Sequence, residues 1–122
     1  LYSAFDILLA PSYGEGFGIP TIEAQACGTR VIGSSWTASK DLIAEGGFQV
    51  QGVPFWDEPQ GSFWKIPVVP SILSALKQAY ETRDGYSESA RKFALEFDAD
   101  KIYREKWEPF LRDYFEKLPE VE

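Results

Sequence analysis

The sequence contains no histidine, and Cys27 is its only cysteine. The lack of histidine excludes Ser–His and Cys–His nucleophiles within this chain and removes the commonest zinc ligand. A single cysteine excludes a disulfide scaffold and indicates a reducing compartment, so we expect a cytoplasmic protein. No apolar run approaches the roughly 20 residues of a membrane-spanning helix, so no span is predicted.

Basic residues are scarce in the first half of the chain. The chain has 122 residues, about the length of one domain, and a formal net charge of −7. Residues 1–60 hold seven acidic residues against two basic ones, Arg30 and Lys40. This balance argues against nonspecific binding of nucleic acid or of an anionic membrane. A phosphate group bound in this half would need cations from elsewhere.

The first fifty residues alternate between strand and helix patterns. "FDILLAPS" (Phe5–Ser12) is a short apolar run typical of a buried parallel strand. After a glycine-rich loop, "IPTIEAQACG" favours a helix, with Pro20 in its first turn and Gly28 as its stop. "TRVIGSS" is the next strand. The strand–helix–strand order predicts an α/β fold with a parallel sheet and helices on its faces.

The rest of the chain is predicted to be mainly helical after one irregular stretch. Residues 52–70 hold four prolines and four large aromatics without a sustained period, which indicates an ordered loop or flap. The remaining predicted elements are a short helix in "SKDLIAEGG", a strand in "FQVQG", a helix capped by Ser71 with Ile72, Leu73, Leu76 and Tyr80 on one side, a helix capped by Ser87, and a final helix over 102–118. Pro109 is expected to kink this last helix near Glu108.

The glycine-rich loop is the first candidate site. Ligands of open α/β sheets bind where strands end, and a helix N-terminus there offers N–H donors and partial positive charge. We therefore expect the backbone N–H groups of Gly16, Phe17, Gly18 and Ile19, and the hydroxyl of Thr21, to face a ligand. The alternative is a tight strand-to-helix turn that needs glycine for its geometry alone.

Two acidic residues flank these amides. Glu15 lies in the loop and Glu23 in the first turns of the helix, and carboxylates accept hydrogen bonds from the vicinal hydroxyls of sugars and riboses. Taken singly, Glu15 is equally well a solvated loop charge, and Glu23 a charge that compensates the helix dipole. Trp56, Phe63 and Trp64 either stack on a sugar or pack the flap onto the body.

The segment "PSYGEGFGIPTIEAQACGTRVIGSS" resembles the signature of retaining glycosyltransferases of the GT-B fold, in the large family 4 group. That family places two acids, separated by seven residues, around a Gly-Phe-Gly core and continues with "EAxAxGxxVI". The resemblance is dense from Phe5 to Val50. It implies that residues 1–101 form a partial Rossmann-like, donor-binding domain, the C-terminal half of a GT-B fold, with 52–70 as a flap.

The resemblance also implies a role for each matched residue. Glu15 is the catalytic candidate, binding hydroxyls of the transferred sugar. The N–H groups of Phe17, Gly18 and Ile19 would hold sugar hydroxyls and the diphosphate, and Glu23 would bind the ribose. Tyr13 is a candidate for the nucleotide pocket. The implied substrate is a nucleotide-sugar donor, and the family needs no cofactor and no metal.

The resemblance implies partners outside this chain. The family holds the diphosphate with an Arg and a Lys upstream of the matching region and binds the acceptor in an N-terminal domain. Because the first residue is Leu1 and a strand follows at once, we expect a piece of a longer protein, inactive alone. The helix over 102–118 would then cross to the missing domain. In place of the family's Gly-Gly and Glu, this sequence has Ser34–Trp36 and Asp41.

Two other functions stay open at this point. The first is a GT-B-like nucleotide-sugar epimerase. The second is a non-catalytic nucleotide- or sugar-binding module that kept the loop and lost the chemistry. An upstream Arg/Lys pair and a second Rossmann-like domain would favour an enzyme.

Overall fold

A computed structural model describes residues 1–118. Its strands are β1 (Ile7–Ala10), β2 (Arg30–Ser34), β3 (Phe48–Val50), β4 (Gly52–Asp57) and β5 (Ser62–Pro67). Its α-helices are α1 (Ile19–Ala26), α2 (Val69–Glu81), α3 (Glu88–Ala94), α4 (Ala99–Ile102) and α5 (Glu108–Glu116). Single 3-10 turns lie at Tyr2–Ala4, Ala38–Asp41 and Leu95–Phe97, the second of them in place of the short helix predicted there.

The centre of the fold is a three-stranded parallel sheet in the order β1-β2-β3. Ile32 of β2 pairs with Leu9 on one side and with Phe48 on the other, and all five residues of β2 are buried. Helices flank this sheet, with α1 connecting β1 to β2. The predicted α/β class, a part of a Rossmann-like fold, is confirmed.

The core lies between the sheet and α2. Its buried members are Ile32, Trp36, Val50, Ala75 and Ala79. Ile72 and Leu76 pack against this cluster as predicted, but Leu73 and Tyr80 are 51% and 66% exposed. The prediction of which side of α2 is buried was therefore partly wrong. Ala75 and Ala79, whose small side chains allow a close approach to the sheet, form its buried face.

The stretch predicted as a loop or flap is a β-hairpin. Strands β4 and β5 pair antiparallel from Gly52 with Pro67 to Asp57 with Ser62. The prediction of a loop was wrong because large apolar residues occupy both faces of the hairpin and hide the two-residue period, whereas its role as a flap stays a prediction. Pro54 and Pro67 lack a ladder donor, which a two-stranded ribbon tolerates because each of its strands is an edge.

The start of α2 also differs from the prediction. The helix begins at Val69 with Pro70 in its first turn, and Val68 is its N-cap without a side-chain hydrogen bond. The Ser71 hydroxyl oxygen instead accepts the backbone N–H of Gln51 at 2.9 Å, so it joins the helix to the start of the hairpin. The second predicted cap is confirmed, since Ser87 Oγ accepts from the Ala90 N–H at 3.3 Å.

The last helical segment contains a π turn. Residues Tyr103–Trp107 form this turn between α4 and α5, and Pro109 lies in the first turn of α5. A π turn next to a proline follows from the N–H that proline lacks. Six large apolar side chains of this segment are at least 46% exposed, namely Tyr103, Trp107, Phe110, Tyr114, Phe115 and Leu118, whereas Leu111 is partly buried. Contact with another domain stays a prediction.

Over residues 1–118 no helix is long and apolar enough to cross a membrane.

Gln25 connects α1 to the segment that follows β2. This residue is 1% exposed, and its Nε2 donates to the carbonyls of Leu42 at 2.7 Å and Thr21 at 3.0 Å. Its Oε1 accepts the N–H of Ala44 at 2.7 Å. We expect Gln25→Leu to lower the free energy of unfolding by about 1–3 kcal/mol, because buried backbone groups lose their partners. Urea denaturation measures this effect.

The matched control for this substitution is Gln78→Leu. Gln78 is an exposed helical glutamine whose Nε2 bonds only to Ser74 Oγ within residues 1–118. Its replacement should change stability by less than about 0.5 kcal/mol. Equal stabilities of the two variants would contradict the connecting role of Gln25.

Candidate functional site

The glycine-rich loop joins the C-terminal end of β1 to the N-terminus of α1. Gly18 is the N-cap of α1 and has φ +101°, a left-handed conformation that side chains rarely adopt. Pro20 occupies the first turn. The sequence therefore needs glycine at position 18 for geometry, and the N-terminus of α1 has no side-chain capping hydrogen bond.

Three consecutive amides of this loop are uncommitted. Within residues 1–118, the N–H groups of Gly16, Phe17 and Gly18 donate no hydrogen bond to a protein atom. Ile19 opens α1, where a helix offers its N–H no acceptor. The Thr21 N–H, by contrast, donates to the Gly18 carbonyl at 3.0 Å. The amides named from the sequence thus form a row of available donors.

Glu15 is an exposed residue whose backbone is fixed on both sides. Its N–H donates to Thr37 Oγ1 at 3.1 Å, and its carbonyl accepts the N–H of Ala38 at 3.4 Å. Its carboxylate accepts the Ser12 hydroxyl on Oε1 at 2.8 Å. Within the described chain Oε2 has no hydrogen-bond partner, so this oxygen is available to a ligand.

Glu23 is exposed on α1. Tyr2, in the turn before β1, donates its hydroxyl to Glu23 Oε2 at 3.1 Å. This hydrogen bond raises the pKa of the Tyr2 phenol. The second carboxylate oxygen, Oε1, has no partner among residues 1–118. Each of the two acids thus has one oxygen bound by a nearby hydroxyl and one oxygen available.

The predicted site residues fall into two groups. Phe17, Ile19 and Glu23 line a mainly apolar cavity of about 470 Å³, together with Ile22, Phe97, Ala99 and Ile102. Glu15 is not among these lining residues. Its hydroxyl partner, Ser12, follows the C-terminal end of β1, whereas the hydroxyl partner of Glu23, Tyr2, precedes the N-terminal end of that strand. Convergence of the two carboxylates on one ligand stays a prediction.

The two remaining predicted residues have packing roles in this structure. Thr21 is buried, and its carbonyl accepts Gln25 Nε2. Tyr13 is about half exposed, and its ring meets that of Phe55 edge to face with centroids 6.0 Å apart. Their contacts with a ligand stay predictions.

Arg30 and Lys65 do not direct their charges at the loop, and Arg30 pairs with Ile7 at the start of β1, the opposite end of that strand from the loop. Arg30 is buried and donates to the side chain and carbonyl of Thr82. The Lys65 ammonium lies over the Trp36 ring, 5.5 Å from its centroid. Along the described chain, therefore, neither side chain hydrogen-bonds to the loop, as the scarcity of bases in the sequence suggested.

Sequence reasoning named Trp64 as a stacking or packing candidate but missed that Trp64, Trp36 and Thr37 hold the loop from outside. Trp36 and Thr37 follow β2, and Trp64 lies in β5. The sequence left open whether Trp56, Phe63 and Trp64 stack on a sugar or pack the hairpin. In the structure Trp64 packs on Gly14, whereas Trp56 and Phe63, 52% and 72% exposed, pack edge to face on each other with centroids 5.0 Å apart on the opposite hairpin face. The available signal was the alternation in "SFWKIP", which places Trp64 and Phe63 on opposite faces of a strand.

Comparison with known proteins identifies one family. The family described as "Glycosyl transferases group 1" matches residues 1–60. The chain is 33% identical over 102 residues to a D-inositol 3-phosphate glycosyltransferase of Streptomyces scabiei, with 80% of this chain and 23% of the relative covered. A protein of the same name in Rhodococcus erythropolis is 34% identical over 110 residues, covering 80% of this chain and 25% of the relative. One in Salinispora arenicola is 35% identical over 101 residues, covering 83% and 20%. The chain spans about a quarter of the length of these relatives.

Proposed function

Because the chain belongs, through residues 1–60, to the group 1 glycosyl transferases, we propose that it is the donor-binding part of a retaining glycosyltransferase. The complete protein transfers a sugar from a nucleotide-diphosphate sugar to an acceptor. The observation that carries the proposal is the row of available amides at Gly16–Gly18, flanked in sequence by two carboxylates that each keep one oxygen available.

The chemistry of these groups fits a polyol that carries a diphosphate. Backbone N–H groups at the start of α1 point at anionic oxygens, and the helix dipole favours negative charge there. Glu15 Oε2 accepts hydroxyls of the transferred sugar, and Glu23 Oε1 accepts ribose hydroxyls. The backbone N–H groups of Phe17 and Ile19 donate hydrogen bonds to the sugar and the diphosphate, and the Thr21 hydroxyl donates to a phosphate. Tyr13 lines the nucleotide pocket.

The proposed transfer needs no general base from this chain. The bond between the anomeric carbon and the diphosphate oxygen breaks, and the acceptor oxygen bonds to that carbon on the same face. The proton of the acceptor hydroxyl passes to the leaving diphosphate. The chain's part is to orient the donor, exclude water and stabilise the developing charge, which suits a sequence without histidine. No cofactor or metal has a part in this scheme.

In this proposal the donor site also needs residues from other parts of the full-length protein. Because residues 1–60 hold only two basic residues, and Arg30 and Lys65 are engaged elsewhere, we expect the diphosphate to need cations from outside residues 1–122 and the acceptor to need its own domain. The exposed apolar side chains of residues 103–118 are the proposed contact with that domain. Residues 1–122 alone are accordingly expected to bind donors weakly and to transfer no sugar.

A donor screen of the full-length protein tests the proposed function. We expect one nucleotide sugar to be consumed only when an acceptor is present, with the anomeric configuration of the donor retained in the product by NMR. Conversion of the sugar without an acceptor would show an epimerase instead. Binding without turnover across the panel would show a non-catalytic module, and an inverted product would contradict the mechanism.

A further inference from the structure

The first half of the glycine-rich loop, residues 13–15, is held by two segments far away in sequence. The carbonyl oxygen of Tyr13 accepts two hydrogen bonds, from Trp36 Nε1 at 2.8 Å and from the backbone N–H of Lys65 at 3.2 Å. Trp36 is buried in the core, so its indole is a fixed donor. The hairpin strand β5 is thus attached to the loop by its backbone.

The next residue, Gly14, lies under an indole ring. A Cβ atom at Gly14 would be 3.3–3.6 Å from Cδ2, Cε3 and Cε2 of Trp64, so the ring covers the backbone without a gap. Trp64 Nε1 donates to Ser62 Oγ at 2.8 Å, which fixes the orientation of the ring. The same hairpin face presents Phe55 to the Tyr13 ring.

Glu15 itself is held by a residue with an unusual backbone. Thr37 has φ +52° and is the one non-glycine residue with positive φ in the described chain. Its hydroxyl accepts the Glu15 N–H at 3.1 Å and donates to the Trp36 carbonyl at 2.7 Å. A side chain keeps such a conformation only where its surroundings enforce it, and such residues cluster at functional sites.

We propose that the β4–β5 hairpin and Thr37 position the backbone of residues 13–15 so that the Glu15 carboxylate is fixed toward the donor sugar. Trp64 and Thr37 are positioning residues, and they act through Gly14 and Glu15. The inference rests on the role proposed for Glu15 above. Strand β5 with Trp64 lies outside the family match, which ends at Gln60 between the two hairpin strands, whereas Thr37 and β4 lie within it.

Kinetics of the full-length protein test the proposal at Trp64. Trp64→Ala is expected to lower kcat about tenfold with an unchanged acceptor KM, because loss of the ring displaces a group that orients the donor. Trp64→Phe keeps a flat ring on Gly14 and should stay within about threefold of the parent. The matched control is Phe63→Ala, which removes the neighbouring ring from the opposite face of β5 and should leave kcat unchanged.

A second pair of variants covers the case in which Trp64→Ala does not fold. Thr37 is exposed, so its substitution leaves the core intact. Thr37→Ala removes the acceptor for the Glu15 N–H and should lower kcat severalfold, whereas Thr37→Ser restores the hydroxyl and the rate. Equal rates for the two Thr37 variants, or a Trp64→Ala rate equal to that of Phe63→Ala, would overturn the proposal.

Hydrogen exchange separates this proposal from the proposed function. The Glu15 amide, which donates to Thr37 Oγ1, and the Lys65 amide, which donates to the Tyr13 carbonyl, should exchange faster in Trp64→Ala than in Phe63→Ala, whatever the enzyme's substrate is. In the double variant with Glu15→Gln, the two losses in kcat should be less than additive. If Glu15→Gln alone leaves kcat intact, the role of Glu15 fails, and the exchange data still decide whether the hairpin holds the loop.

Discussion

Glu23→Ala in the full-length protein should lower kcat/KM for the donor about 30–150-fold, which corresponds to about 2–3 kcal/mol. The reason is that hydrogen bonds to a carboxylate are stronger than neutral ones, and two ribose hydroxyls would lose their acceptor at once. Steady-state kinetics with the donor identified by the screen measure the effect. Acceptor KM should change little.

Two matched variants separate the ligand role of Glu23 from its contact with Tyr2. Tyr2→Phe removes the hydroxyl that donates to Oε2 but leaves the carboxylate, so donor kinetics should stay within about threefold of the parent. Glu45→Ala removes an exposed acid without a side-chain hydrogen bond among residues 1–118, and its effect on donor kinetics should be as small. Donor kinetics for Glu23→Ala that match those of Glu45→Ala would refute the assigned role.

The second large effect is expected on stability. Ile32→Ala should lower the free energy of unfolding by about 2–5 kcal/mol, because Ile32 is fully buried between the sheet and α2. Its position on the central strand, between Leu9 and Phe48, gives the surrounding backbone little freedom to close the cavity. Chemical denaturation followed by circular dichroism measures the change.

The conservative control at this position is Ile32→Val. Loss of one buried methylene should cost about 0.5–1.5 kcal/mol, so the two variants form a graded pair. If Ile32→Ala is no less stable than Ile32→Val, the assignment of this residue to the centre of the core is wrong. Donor kinetics of folded Ile32→Val should match those of the parent.

The sheet was predictable because its signals are local. Short apolar runs ending in glycine, proline or serine mark β1 and β2, and Pro20 and Gly28 bracket the helix between them. Such residues act on their own stretch of backbone. The loop amides were named from the sequence for the same reason, since a helix N-terminus leaves its donors unpaired in almost any context.

The hairpin and the residues that hold the loop were not predictable in this way. Ser71 has the residue type of a helix cap, but its hydroxyl accepts a backbone N–H from the neighbouring segment. Trp36, Thr37 and Trp64 act on the loop across 22 or more positions of sequence. Contacts of this kind depend on the assembled fold, which overrides the preference of any single residue.

The indole that lies on Gly14 makes the loop observable. The emission of a tryptophan shifts with the polarity around its ring, and Trp64 sits against the backbone next to the proposed ligand groups. Trp56 and Trp107 are exposed and replaceable by phenylalanine, whereas Trp36 is shielded in the interior. The protein thus carries its own optical reporter, through which occupancy of the loop can be followed by fluorescence without a label.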